Sequence, residues 1–288
     1  MSSLAVTPVQ DQSALAEKLK ALRAKNPHAY PRDYAAELGV SEAMLTPLFY
    51  GDRVQALNDL GAVLASLSRL PQIKLMARVS YAVLEIFSKV EFVRENGLYV
   101  SRSASCFVAL DPAEVGNVFF LAPDKPEEKA AILIFEKSGA AALKLYLQRE
   151  DFDASLLTST SSPTAASGRS AGVSAALKSA RAEWLGNFSP PVAAEPQAAR
   201  QMIAEAAEQG TALAFELESS AVAVLLRHIP QKLIDARGWF NILDAQFNLH
   251  LKEGSITRVA AAANAHRKML RLENAAGEKI TIVSLGEK

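Results

Sequence analysis

The 288 residues carry 31 Lys and Arg against 31 Asp and Glu, so the formal net charge is zero and no overall field draws the chain toward nucleic acid or an acidic membrane. A single cysteine, Cys106, excludes an intramolecular disulfide framework and a thiolate-rich metal site, as suits a reducing compartment. No run approaches the roughly 18 apolar residues of a membrane span. The opening MSSLAVTPVQDQSALAEK lacks the basic and continuous apolar regions of a secretory signal, so a soluble cytoplasmic protein is expected.

The first seventy residues read as helical. Residues 13–25 place Leu15, Leu19 and Leu22 on one helix face and end at Asn26-Pro27. A second helix is expected over 31–38, stopped by Gly39, and a third after Ser41, whose hydroxyl suits a cap. A fourth, over 57–70, aligns Leu57, Leu60, Leu64 and Leu67 and halts before Pro71. The pattern then changes to short β-branched and aromatic runs at 73–79, 82–86, 97–100, 105–110, 118–121, 131–136 and 143–147, separated by turn signals, which favours an antiparallel meander.

From 153 to 174 the chain is mostly Ser, Thr, Ala and Gly, a composition that does not offset its own ordering entropy. A short helix over 174–185 and the stiff Ser189-Pro190-Pro191 follow, then a helix over 197–209. Strand patterning resumes at 212–217, 221–226, 231–235, 238–243, 247–252, 256–262, 269–273 and 279–284. The two stretches are alike: SYAVLEIF at 80–87 answers SSAVAVLL at 219–226, and LIFEKSGAAALKLYL from Leu133 answers LRLENAAGEKITIVSL from Leu270. The period far exceeds the roughly 20–50 residues of solenoids and propellers. The expected organisation is an α+β chain of duplicated antiparallel sheet modules: a first module over 1–152 with the fuller set of helices, a linker over 153–196, and a shortened second sheet module over 197–288. Ligand sites often form between two such modules.

Few residues announce chemistry. Ala35, Gly39 and Leu45 have helix-turn-helix spacing, but the second helix reads Glu42, Ala43, Met44, Leu45, Thr46, Pro47, with no side chain suited to base edges and a proline that interrupts or restarts it. Helix packing is the expected role. Cys106 lies in the strand-like SASCFVAL and reads as a buried small hydrophobe. Asp111, Glu114 and Asp244 fall near turns, where lone carboxylates are usually solvated. His28, His228 and His266 are scattered. His250 has a defined setting: in FNLHL, Phe247, Leu249 and Leu251 alternate onto one face and send Asn248 and His250 to the other. If that face floors a cleft, the imidazole can take a ligand or a metal.

GWFNILDAQFNLHLKEGSI, residues 238–256, resembles the signature of the cytoplasmic haemin-utilisation family of HemS/ChuX type. YPRDYAAELGVSEAML resembles that family's opening helix pair, RVSYAVLEIF its first strand motif and FEKSGAAALKLYL its closing hairpin. The resemblance implies paired antiparallel sheets with attached helices, haem as cofactor or cargo, and a role in haem utilisation and iron transport. It also exposes losses. Trp184 matches a family tryptophan, but LGNFSPPVAAEP follows without the axial histidine; a motif arginine falls on Val118, a basic turn becomes Ala263-Asn264-Ala265, and Ala-Val-His-Glu becomes Ala82-Val83-Leu84-Glu85. His250 and Arg78 survive. The resemblance therefore implies His250 as iron ligand, with Arg78, Arg227 and Arg267 as propionate partners. Binding is favoured over degradation, because iron without its usual ligand is poorly oriented for catalysis. The alternatives are a diverged paralogue that binds another apolar ligand or serves as a protein-interaction scaffold, and, third, a transcriptional regulator; under any of them a homo-oligomer is compatible with the sequence.

Overall fold

The computed structural model describes residues 9–147 and 172–285, so the low-complexity part of the expected linker lies outside the described residues. Helix α1 spans Val9–Lys25, α2 Pro31–Leu38 and α3 Glu42–Tyr50. Gly39 ends α2 in the left-handed region, at φ 67°, which a glycine adopts without steric cost. Ser41 Oγ accepts the Met44 amide at 3.2 Å and starts α3. Contrary to the expectation, Pro47 does not break α3, which continues to Tyr50. Helix α4 is shorter than the leucine stripe suggests, Leu60–Leu67, because the Asp59 carboxylate caps it by accepting the Ala62 amide at 2.9 Å. Leu57 instead extends the strand before it, donating its amide to Val118 O.

The strands form two nine-stranded antiparallel sheets that exchange strands between the sequence repeats. The first half supplies β1 (Val54–Ala56), β2 (Ile73–Arg78), β3 (Ala82–Ser88), β4 (Val93–Glu95), β5 (Leu98–Arg102), β6 (Cys106–Leu110), β7 (Val115–Leu121), β8 (Ala131–Glu136) and β9 (Ala141–Leu147). The second supplies β10 (Val192–Ala193), β11 (Leu213–Glu218), β12 (Val222–His228), β13 (Leu233–Ala236), β14 (Trp239–Leu243), β15 (Phe247–Leu251), β16 (Ile256–Ala263), β17 (Lys268–Asn274) and β18 (Lys279–Ser284). One sheet runs β1-β7-β8-β9-β2-β3-β15-β14-β13 and the other β10-β16-β17-β18-β11-β12-β6-β5-β4. Each half thus gives six strands to one sheet and lends three to its counterpart, rather than folding as one local meander.

The sequences of β3 and β12 require a partner on each side. Ala82–Ile86 and Val222–Leu226 are buried on both faces. Left at a sheet edge, either would present unpaired amides and carbonyls beside apolar side chains. Pairing removes both edges: Phe247 to Leu251 align with Ile86 to Ala82, and Cys106 to Leu110 with Leu226 to Val222.

The inner faces share one core, in which Leu75, Leu84 and Leu249 of the first sheet join Phe215, Val224 and Ile282 of the second. The Phe215 and Phe247 rings meet at 5.0 Å, and Tyr81 Oη donates to Leu272 O at 2.7 Å across the layers. Helix α4 and helix α6 (Ala198–Gln209) fill the same layer through Val63, Leu64, Leu67 and Ile203. Each fully buried side chain of this size stabilises by roughly 1.5–3 kcal/mol relative to exposure. Outside, α3 covers part of the first sheet at Phe119 and Phe135. Helix α5, Val173–Leu185, lies on the second sheet through Leu177, Ala180 and Leu185, so this part of the expected linker is packed structure. Cys106 is buried in β6, where burial pushes its thiol pKa up to about 12, as a small hydrophobe requires. Asp111 and Asp244 are not solvated: Asp111 accepts the Ala113 amide at 2.9 Å, and Asp244 accepts from Gln231 and Lys232 amides and pairs with His228 at 2.7 Å.

Candidate functional site

Alternation along β2, β3, β15 and β14 turns Leu75, Ala77, Leu84, Leu249 and Ile242 inward. Lys74, Arg78, Val83, Glu85, Asn248, His250 and Asn241 are consequently on the outer face of the first sheet. The ladder puts four of them in one line across it, since Asn241 pairs with His250, His250 with Val83 and Val83 with Arg78. His250 and Arg78 are two strand spacings apart, about 10 Å. The next line holds Asn248 and Glu85.

His250 has a fixed tautomer. Asn241 spends both amide hydrogens on backbone carbonyls, Ile234 O at 3.0 Å and Trp239 O at 3.0 Å, so its Oδ1 is the acceptor facing His250 Nδ1 at 2.7 Å. The ring proton therefore sits on Nδ1 and the lone pair on Nε2. Nε2 has no hydrogen-bond partner among the described residues. Burial lowers the His250 pKa below its ordinary 6.5, outweighing the pull of Glu85, with Lys74 adding to the fall. The imidazole is neutral at pH 7. A buried amide orienting one ring nitrogen while the other keeps its lone pair is the outer-shell arrangement typical of ligating histidines.

Around it lies an uneven set of charges. Glu85 is 6% exposed and accepts from Lys74 Nζ at 3.0 Å and Asn248 Nδ2 at 2.9 Å. Glu42, at the start of α3, bonds both Arg78 and Lys144, the latter at 2.9 Å. Burial lowers the pKa of Arg78 and of Lys144, and Glu42 pushes both back up. Two partly buried cations share the Glu42 carboxylate, and Asp33 and Glu278 line the cavity beside Arg78. Beside them Arg78, Trp239 and Lys252 line a cavity of about 510 Å³ between α2, α3 and the sheet. His250 is outside the lining of that cavity, two residues before Lys252 in the chain and paired across the sheet with Asn241.

The four residues expected to act together are not brought to one place. His250 and Arg78 share the outer face of the first sheet, Arg78 already holding Glu42. Arg227 on β12 and Arg267 before β17 belong to the second sheet, so they are corrected as partners of any ligand held by His250. Strand exchange is the reason: β15 leaves the second half for the first sheet, while β12 and β17 stay behind. His228 is spent on Asp244, its ring 4.7 Å from that of Phe247. His266, exposed in the β16–β17 turn, lines a larger cleft of about 850 Å³ with Met202, Leu213, Ala261 and Leu270. Sequence reading missed Trp239, Asn241, Lys144 and Lys252. Alternation in WFNIL was the available signal, since Phe240 and Ile242 turn inward and Trp239 and Asn241 turn out. The helix-turn-helix pair is packed into the protein, with Glu42, Ala43, Leu45 and Thr46 of α3 all buried. Among the described residues no cluster of His, Cys, Asp and Glu is placed to hold a metal ion, and no helix is long and apolar enough to cross a membrane.

No family model matches the sequence, and no curated protein is significantly similar to it. Solved structures are. PhuS, a haem-binding protein from Pseudomonas aeruginosa, is 20% identical in its holo form with a TM-score of 0.77, covering 96% of this chain and 94% of PhuS; its apo form gives 21% and 0.76 over the same shares. The haem-degrading enzyme ChuS of Escherichia coli O157:H7 is 18% identical with a TM-score of 0.75, covering 96% of this chain and 93% of ChuS. The chain thus has, over nearly its whole length, the duplicated two-sheet fold of the PhuS and ChuS proteins.

Proposed function

We propose that this protein binds haem on the outer face of its first sheet and carries it without degrading it. The observation that carries the reading is the line His250–Val83–Arg78: a neutral imidazole with a free Nε2, one apolar side chain and a cation paired with Glu42, about 10 Å from end to end. Haem iron takes an imidazole, its macrocycle takes apolar and aromatic contact, and its propionates take Arg or Lys. His250 would hold the iron, Val83 and Trp239 the ring, and Arg78 and Lys252 the propionates. When bound, haem itself supplies the redox chemistry. The protein's own contribution is a fixed Nε2 lone pair, set by Asn241, and the Arg78 and Lys252 cations, among the acids Asp33, Glu42 and Glu278 that line the same cavity. Among the described residues, no second histidine is on the strands of the first sheet to orient a distal reactant, which favours carriage. The fold shared with haem-binding PhuS supports the same reading.

Titration with ferric haemin tests it. Wild-type protein is expected to shift the Soret band and give a low-spin ferric spectrum, His250→Ala to lose that spectrum while staying folded, and His266→Ala to keep it. A featureless wild-type titration, or an unchanged His250→Ala spectrum, overturns the proposal. The second reading, another apolar ligand, rests on the larger cleft beside α6, walled by Met202, Leu213 and Leu270. It is favoured if haemin fails to bind while an apolar fluorescent probe binds and is displaced by Met202→Arg.

A further inference from the structure

The outer face of the second sheet departs from its apolar pattern toward the start of α5. Glu216, Thr281 and Arg271 pair across β11, β18 and β17 as one polar row, and Glu218 and Lys279 lie in the next. Ser174, Leu177, Lys178 and Arg181, spaced as one stripe of α5, close a cavity of about 130 Å³ over these rows. Glu216, which lines it, is 2% exposed. Its Oε2 accepts from Arg181 Nη1 at 3.1 Å, whereas Oε1 is buried without a hydrogen-bond partner among the described residues. A buried carboxylate oxygen with no donor bears its full desolvation cost, which a group bringing an O–H or N–H relieves. Burial raises the Glu216 pKa against the pull of Arg181 and Arg271, with Glu218 adding to the rise, so Oε1 is a strong proton acceptor.

The charges around it do not cancel. Lys178, Arg181, Arg271 and Lys279 line the cavity against Glu216 and Glu218, four cations to two acids. Lys178, Arg271 and Lys279 have no ion pair among the described residues, and the next acid on this face, Glu273, is held by Arg258. Water supplies a donor for Oε1 and leaves the excess charge unanswered. Sulfate answers the charge but sets a bare oxygen against Oε1. Inorganic phosphate meets both needs, since each form present at neutral pH has an O–H for Oε1 and anionic oxygens for the cations.

We propose that the cavity between α5 and the second sheet binds inorganic phosphate, Glu216 accepting its O–H and Arg271 holding its anionic oxygens. The site is separate from the His250 face, which is on the other sheet. It is separate also from Arg227 and Arg267, which both donate to Trp184 O, at 3.2 Å each, near the far end of α5. Calorimetric titration of the whole protein at neutral pH tests it, with sodium phosphate in one arm and sodium sulfate in the other, at constant ionic strength set with sodium chloride. Saturable phosphate binding is expected, with sulfate at least about tenfold weaker because it has no proton to give Oε1. Arg271→Gln is expected to weaken phosphate about tenfold or more, and Arg271→Lys, which keeps the charge and loses the fork, several-fold. Glu216→Gln offers an amide N–H to either anion and is expected to bring their affinities together. The comparison of the two anions on the wild-type protein needs no variant to fold. No saturable response to phosphate, sulfate bound as tightly as phosphate by wild type, or phosphate binding unchanged in both Arg271 variants overturns the proposal.

Discussion

The outer faces of the two sheets occupy equivalent places in the same backbone and carry opposite chemistry. Strand by strand, Lys74 corresponds to Ala214, Glu85 to Leu225, Asn248 to Phe107, His250 to Ala109 and Asn241 to Val100. The second-sheet set is apolar because α5 lies on it, and Phe107, Ala109 and Leu225 are 0–1% exposed. On the first sheet these positions hold a polar network instead. A covered face must be apolar or fully hydrogen-bonded, whereas a less covered one can keep a lone pair and an excess charge. The duplicated platform thus occurs once with an apolar outer face packed under α5 and once with a polar, hydrogen-bonded one.

The largest expected effect breaks the charged face. Glu42→Ala strands Arg78 and Lys144, which are 14% and 15% exposed in their side chains, and is expected to cost roughly 3–5 kcal/mol in urea unfolding. A cost below about 1 kcal/mol would mean that the two cations find water instead. On the apolar face, Leu225→Ala, fully buried under α5, is expected to cost roughly 2–5 kcal/mol through the cavity it leaves. Glu85→Leu at the matching place should not gain stability, because Lys74 and Asn248 lose their acceptor.

A smaller effect sharpens the ligand reading. Asn241→Ala frees the His250 ring to turn and is expected to weaken haemin binding about 10–100-fold, read from the Soret titration, while the matching Val100→Ala leaves binding unchanged. The smallest is a pH dependence. The His250 pKa is lower in the folded chain than its ordinary 6.5, so the unfolded chain takes up its proton first. Its contribution is therefore complete above pH 6.5 and is lost as pH falls through the depressed value. His250→Gln is expected to flatten the decline of unfolding free energy below pH 6.5; an equally steep decline assigns that limb to other groups.

Much of the face was legible from local pattern. Period-2 alternation in FNLHL sends His250 away from Phe247, Leu249 and Leu251, and the protein places it so. The same rule, applied to WFNIL, gives Trp239 and Asn241. Arg227 and Arg267 could not be separated from His250 in this way, because alternation says which side a residue takes and not which sheet its strand joins.

The sequence by itself determined the α+β class, the antiparallel strands, the repeat and most helix ends, since hydrophobic period, caps and turn residues act over a few neighbours. Only the tertiary structure decided the exchange of β4–β6 and β13–β15, the carbonyls that fix Asn241 and so the His250 tautomer, and the meeting of Arg227 with Arg267 at Trp184. Those depend on contacts between residues far apart in the chain: the edges of β3 and β12 can be closed by either half's hairpin with the same local pattern, and the choice lies in how the assembled core packs.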